Sequence, residues 1–408
     1  MPCPACPALA PKGRGPFPVG DPVTEGLDAT RLQSLLAEAE AQKSSAVLIL
    51  KNGKLVVERY WGVDGREPLI TMSISKSIVA LAIGQLIAAK KIASLDQKVA
   101  NFIPTWAKAA TSKDPRQAQK AEITLRQILN HTSGLSGRRT HRTRGRLRRH
   151  ARRTRVVTAP GTRFHYNNNA VDFLALLVQR VTGQFLDDYL QIHLFGPLDI
   201  SGAYWYKYAD GQPRVAGELL IRPIDLLKIG SMMLHHGRWR GEEIVPRSWV
   251  SKIVRPGQKI YITYGLLWWR DGRFLPKLDE RVLAVWKSGG VSASTIASAR
   301  GLLGKRYRNS DVYLGALRKR VGSAAYKALR KVAKHGSLTL YGLVQRGKLK
   351  GFSARGSYGQ HLIIMPSERL VALRMRLPKK AEYRRWREEN TYPDFRERVL
   401  KLSRPRKR

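Results

Sequence analysis

Cysteine is almost missing from this chain: its 408 residues include two, Cys3 and Cys6, both in a proline-rich opening stretch. Without a second pair they complete no zinc site, and without a strand or helix around them they make no redox motif. A disulfide-stapled or zinc-organised fold is excluded, and an incidental pair in a flexible segment is the expected reading. Acidic residues are scarce too, 30 against 74 Lys and Arg, a net charge of +44 that raises the question of an anionic partner. Long hydrophobic runs are absent: Lys, Asn or Gly breaks each apolar run short of the roughly 20 residues a bilayer span needs. The opening "MPCPACPALAPKGRGPFPVG" has no basic n-region and no unbroken h-region, so no secretory signal is recognised and a cytoplasmic location is the default expectation. No internal repeat is visible.

What is present is apolar material, 43% of residues, enough for a large core in one big two-lobed domain or in two ordinary ones. Residues 1–24, rich in Pro and Gly, read as a flexible leader. The stretch "AVLILKNGKLVVERYW" carries two β-rich runs around Asn52 and Gly53, the pair that supplies the positive φ angles of a tight hairpin. Near the other end "QHLIIMPSERLVALRMRL" repeats the arrangement, with runs 361–365 and 370–376 joined by turn-forming residues. Two hairpins at opposite ends, with helix-rich sequence between, predict an α+β fold: an antiparallel sheet assembled from both ends of the chain, flanking helices and an inserted, mainly helical lobe. A domain over 25–400 is expected to divide into a sheet lobe (about 25–110 and 255–400) and a helical lobe (about 111–254), followed by a basic tail at 401–408. Residues 288–340 read as basic amphipathic helices, expected to form a solvated insertion with Lys and Arg toward water.

The residues able to carry chemistry begin in "LITMSISKSIVALAIGQLIAAKKI", 69–92. A serine hydroxyl needs a base within hydrogen-bond reach to act as a nucleophile. On a helix starting near Ser73, Lys76 lies one turn on and on the same face. The helix N-terminus adds free N–H groups and a field that favours negative charge. The alternative is a helix-capping Ser73 and a solvated Lys76. The following "SIVALAIGQLIAA" is apolar on nearly every face, which implies a buried helix; a lysine at its head must be paired or carry a lowered pKa. In "APGTRFHYNNNAVDFLALLVQRVTG", Tyr166 could relay a proton and Asn168 could orient a substrate or the lysine. A packing tyrosine and capping asparagines are the equally open alternative.

In order along the chain, Ser73-Ile-Ser-Lys76-Ser, "LRQILNHTSGL", "PGTRFHYNNN" and "GSYGQHLIIMPSERLVALRM" resemble the serine β-lactamase and penicillin-binding-protein-like hydrolases, and within them the class C β-lactamase-like branch with its esterases and 6-aminohexanoate-dimer hydrolases. The likeness runs from about 45 to 400, with gaps at 138–157 and roughly 288–345, and takes in "YGLLWW" at 264–269. It implies a β-lactamase/transpeptidase-like fold, Ser73 as acylated nucleophile, Lys76 as its base, Tyr166 as second proton-transfer group and Asn168 as the residue that holds lysine and substrate. It implies no cofactor and no metal. One oxyanion donor would be the Ser73 N–H. The third motif, Lys-Thr-Gly or His-x-Gly on the strand lining the site, is not matched cleanly. An ungapped alignment puts Gly351, Phe352 and Ser353 there, the second oxyanion amide at Ala354, and Arg355 as the nearest cation, with Lys350 weaker. That cation serves substrate carboxylates, so the departure favours a small ester or amide over a true β-lactam substrate.

The densest charge lies in "GRRTHRTRGRLRRHARRTRVV", 137–157, which contains no acid. A solvated loop, an anion-binding patch and a stretch translated from a shifted reading frame are all open readings of it. The charge therefore sustains a second expectation, a catalytically impaired member of the fold that binds nucleic acid or another polyanion through this loop. Its lack of interleaved aromatics argues against a base-reading surface.

Overall fold

The computed structural model describes residues 15–137, 145–334, 340–378, 392 and 394–404; Cys3, Cys6, the Arg-rich residues 138–144 and residues 405–408 lie outside them. Helix α1 (Ala29–Ala41) starts at Asp28, whose carboxylate accepts the Arg31 N–H at 2.9 Å. Strands β1 (Ala46–Lys51) and β2 (Lys54–Tyr60) turn at Asn52 and Gly53, with φ of 53° and 82°, as that dipeptide predicts. The remaining strands of the main sheet come late in the chain: β3 (Trp269–Lys277), β4 (Gly342–Gly356), β5 (Gln360–Met365) and β6 (Leu370–Met375).

These six strands form one antiparallel sheet in the order β2-β1-β6-β5-β4-β3. Ala46 faces Met375 and Lys51 faces Leu370, so the expected sheet built from both ends is what the chain forms. Every residue of β1 and β6 is buried, Lys51 and Arg374 included, because both faces of the sheet are covered. On one face Leu32, Leu35 and Ala39 of α1 pack with Phe395 and Val399 of the short helix Phe395–Val399. The other face carries the helical lobe and the main core.

Three helices of that lobe matter for function: α2 (Ile74–Ala88), α3 (Asn168–Thr182) and α4 (Pro223–Leu234). Helix α4 lies on the sheet at Gly230, where a Cβ would come within 2.6 Å of Val371 and 2.8 Å of Leu362. Helix α2 is held from above by Trp249, whose indole covers Gly84 and donates to the Ala80 carbonyl at 2.8 Å.

Two basic regions form helices that bury apolar side chains. Between β3 and β4, four helices (Glu280–Ser288, Ala293–Ala299, Ser310–Val321 and Ser323–Lys334) pack Leu283, Trp286, Tyr313 and Leu317 into a small apolar core of their own. Exposed Arg318, Lys319 and Arg320 face water above it. In the Arg-rich block, helix Leu147–Arg153 buries Leu147 and Ala151, spaced i and i+4, against the main core. Trp106 Nε1 donates to the Ala151 carbonyl at 2.9 Å, and the Gln117 amide bonds both the Val156 N–H and C=O at 3.1 Å. The apolar face was hidden among arginines, so residues 145–157 are a packed element rather than a solvated loop. Among the described residues no helix is long and apolar enough to cross a membrane.

Candidate active site

The "SISKS" stretch heads α2, and its three serines have three different partners. Ser75 Oγ donates to the Val215 carbonyl at 2.7 Å and accepts Trp205 Nε1 at 2.9 Å. Ser77 Oγ donates to the Leu267 carbonyl at 2.6 Å. Those two bonds tie the helix start to loops 140 and 190 residues away. Ser73 makes no capping bond with its side chain and is half-buried; its Oγ instead lies 2.7 Å from Lys76 Nζ. Met72 before it holds φ at 50°, a conformation a non-glycine residue adopts only when its surroundings enforce it.

Lys76 is 1% exposed. Its Nζ donates to Ser73 Oγ and to the Ala216 carbonyl, and lies 5.0 Å from the centre of the Tyr166 ring. Burial pulls the amine down to about 7, opposed by the nearby Asp172 carboxylate. Asp172 is fully buried on α3, and burial pushes its carboxyl up, against the hydrogen bonds it accepts from Tyr208 O–H and Ala216 N–H, both at 2.8 Å. Sequence reasoning passed over Asp172. The signal was a lone acid within "AVDFLALLV", as informative as a lysine at the head of an apolar helix.

The Tyr166 turn is laced to the "HTSG" segment. His131 has φ of 58°; its carbonyl accepts the His165 N–H at 2.8 Å and its Nδ1 accepts the Asn167 N–H at 3.2 Å. An Nδ1 that accepts belongs to a neutral ring, and burial together with Lys76 holds His131 well below the usual histidine range. Asn167 Nδ2 donates to the Leu135 carbonyl at 2.8 Å, while Asn167 Oδ1 caps α3 through the Ala170 N–H at 3.2 Å. At Gly134, φ is 69° and a Cβ would meet the Thr158 carbonyl at 2.1 Å, so only glycine allows the two segments to close. Tyr166 then stands 4.3 Å from His131 between ring centres and 6.4 Å from Trp269.

Asn168 reaches the same cleft but not the lysine: Lys76 bonds Ser73 and Ala216, and the buried Asn168 Oδ1 has no hydrogen-bond partner. Among the described residues the structure brings Lys76 against Ser73 and the Ala216 carbonyl and gives it no hydrogen bond to Asn168.

The strand opposite Ser73 also differs from the ungapped expectation. Ala354 is fully buried in the core and pairs with Leu362, while Gly356 comes up against the head of α2. A Cβ on Gly356 would lie 2.6 Å from Thr71 O, 2.8 Å from Met72 Cβ and 3.0 Å from Ser73 N. The connection to β5 is one turn, Ser357–Gly359, with Tyr358 at φ 64° and Gly359 at φ 77°. The strand thus runs on to Gly356 and delivers Ser357, not Ala354, to the cleft. Arg355 ion-pairs with buried Asp271, donates from Nε to Ser353 Oγ at 2.9 Å and stacks 5.0 Å from the Trp269 ring centre. Arg396 Nε holds the same Asp271 oxygen at 2.7 Å. Arg355 is therefore engaged within the protein and does not line the cleft; Lys350 is exposed on β4.

Ser73, Asn168, Asp172, Tyr206, Ser357 and Tyr358 line a cleft of about 670 Å³. A larger hollow of about 880 Å³ is lined by Gln117, Arg155 and Val156 among others and does not include Ser73. Among the described residues no group of three His, Cys, Asp or Glu side chains is placed to hold a metal ion.

A Ser-x-x-Lys helix start at the seam between an antiparallel sheet and a helical lobe defines an α+β fold of the β-lactamase/transpeptidase class. The chain belongs to the beta-lactamase family, whose model matches residues 32–375. It is 28% identical over 295 residues to the 6-aminohexanoate-dimer hydrolase of Paenarthrobacter ureafaciens, 65% of this chain and 74% of that protein. Among solved structures it resembles the beta-lactamase/D-alanine carboxypeptidase of Pseudomonas syringae (TM-score 0.56, 14% identity, 92% of this chain and 99% of that one). The penicillin-binding protein of Bacillus halodurans shares the fold as well (TM-score 0.54, 15% identity, 86% of this chain and 97% of that one).

Proposed function

We propose that the protein cleaves a small ester or amide through an acyl-enzyme on Ser73. The observation that carries this reading is the 2.7 Å contact between Ser73 Oγ and a fully buried Lys76 whose charge burial disfavours. A neutral Nζ takes the hydroxyl proton as Oγ attacks the substrate carbonyl; one C–O bond forms and the carbonyl π electrons move to oxygen. That oxyanion would be met by the N–H groups of Ser73 and Ser357 on either side of the Gly356 approach. Tyr166, beside Lys76, would pass the proton to the leaving alcohol or amine. Water then repeats the sequence on the acyl-enzyme and releases the acid.

The engagement of Arg355 by Asp271 supports esters and amides over β-lactams, because the strand beside Ser73 then offers no cation for a substrate carboxylate. Similarity to a 6-aminohexanoate-dimer hydrolase is the reason amides stand beside esters. The test is turnover of p-nitrophenyl acetate and butyrate together with intact mass after a fluorophosphonate probe. One adduct on Ser73, lost in Ser73→Ala and reduced to a trace in Lys76→Ala, is the expected result; absence of Ser73-dependent labelling and turnover overturns the reading.

A further inference from the structure

The acyl-enzyme chemistry leaves the buried Asp172 at the site without a role. Asp172 stands on α3 one turn beyond Asn168, among Val171, Phe173, Leu174 and Ala175, all buried. An acid in such a helix is tolerated only if both carboxylate oxygens are satisfied and a cation is near. Both conditions hold. Oδ1 accepts the Ala216 N–H and Oδ2 accepts the Tyr208 O–H, each at 2.8 Å. The Ala216 carbonyl in turn accepts Lys76 Nζ. One residue of the 204–221 loop is thus held at its N–H by an acid from α3 and at its C=O by the base from α2.

We propose that Asp172 is the positioning residue of this site: it fixes the Ala216 backbone that grips Lys76, and it is the counter-charge to that amine. The inference rests on the reading of Lys76 as the base. Without the carboxylate, Ala216 N–H would be a buried orphan and the loop carrying its carbonyl would lose the side-chain anchor that Asp172 gives it at that residue. The other groups facing the pair are Tyr166 and neutral His131 from the "HTSG" and "HYNN" segments, and Tyr208, Arg214 and Glu218 from the loop. Arg214 and Glu218 hold each other at 3.1 Å, and the Arg214 guanidinium lies 5.2 Å from the Tyr208 ring centre, so they largely offset one another. That leaves Asp172 as the charge that opposes the desolvation of Lys76.

Asp172→Asn separates the two duties. The amide oxygen still accepts the Ala216 N–H, and its NH₂ donates to a Tyr208 hydroxyl turned to accept, so the anchor stays while the charge goes. The readout is the Lys76 titration, followed by ¹³C NMR of protein labelled at lysine Cε and identified by the resonance missing in Lys76→Met. Removing the carboxylate charge that opposes its desolvation moves the Lys76 midpoint down by about one unit. The acid limb of kcat/KM for p-nitrophenyl butyrate moves down with it. Asp172→Ala loses the anchor too, and kcat falls on the order of 10²-fold with KM little changed. An Asp172→Asn midpoint that stays or rises overturns the proposal. If that variant does not fold, Tyr208→Phe replaces it: with one hydrogen bond to the carboxylate removed, Asp172 holds its proton more readily and the Lys76 midpoint again falls, by less, and an unmoved midpoint is the refuting result. A protein that shows the NMR shift without turnover refutes the hydrolase reading and leaves this one standing.

Discussion

Replacing Gly356 by alanine adds one carbon at the tightest point between the sheet and the head of α2. The backbone there is extended, φ −134° and ψ 159°, so alanine meets no conformational penalty and the effect is steric. Ordinary contact to a Cβ begins near 3.4 Å; the added carbon would sit 2.6 Å from Thr71 O, short by about 0.8 Å, and 3.0 Å from Ser73 N, short by about 0.4 Å. Both neighbours are backbone of a strained turn tied down by the Thr71 N–H bond to the Leu219 carbonyl at 2.9 Å, so the strand must withdraw instead. A catalytic arrangement tolerates roughly 0.5 Å of misplacement. Withdrawal by more than that takes the Ser357 N–H out of reach of the oxyanion, and loss of one such donor costs about 10²–10³ in kcat, roughly 3–4 kcal/mol. The assay is kcat and kcat/KM for p-nitrophenyl butyrate, with the second-order rate of fluorophosphonate labelling as an independent measure. Folded Gly356→Ala protein with both rates within threefold of wild type would refute the placement of Ser357 as oxyanion donor.

Three further outcomes follow from the geometry. Below pH about 7 the protonated Lys76 cannot accept the Ser73 proton, so kcat/KM should fall as pH drops through that value. The same depression makes the unfolded chain bind more protons between the folded value and the ordinary 10.5; stability therefore rises with pH across that window, and urea midpoints at pH 7.5 and 9.5 should differ more in wild type than in Lys76→Met. Leu147→Ala, in the arginine-rich helix, should cost about 2–5 kcal/mol by urea denaturation, whereas Arg149→Ala on its exposed side should change stability by less than about 0.5 kcal/mol. Equal effects of the two would show that the block is not packed.

Local chemistry was legible where it had a local cause. Asn52 and Gly53 announced the first hairpin, because positive φ at two successive positions selects those residues. The pairing of Ser73 with Lys76 could be suspected from a single turn of helix. Asp172 could not be given a role, since its partners Tyr208 and Ala216 lie 36 and 44 residues on, in a loop with no periodicity to place it. The strand register failed for a related reason. Three residues of shift separate Ala354 from Ser357, and they depend on how tightly Ser357–Gly359 turns, a matter of left-handed φ at Tyr358 that no tyrosine advertises. The arginine-rich block misled because composition hid a period: Leu147 and Ala151 are a short amphipathic face surrounded by charge.

The zipping of β1 onto β6 also bears on biosynthesis. Ala46 and Met375 are neighbours in space, yet 329 residues (375 − 46) separate them on the messenger's schedule. At ~5–20 residues per second, a ribosome needs roughly 16–66 s to make the second after the first. Between the synthesis of Tyr166 and that of Gly356, 190 residues later (356 − 166), Ser73, Lys76 and Tyr166 already exist but the strand bearing Gly356 and Ser357 does not. On the proposed mechanism such a nascent chain holds the serine and its base without the second oxyanion donor, and the capacity to form an acyl-enzyme arrives only with that strand.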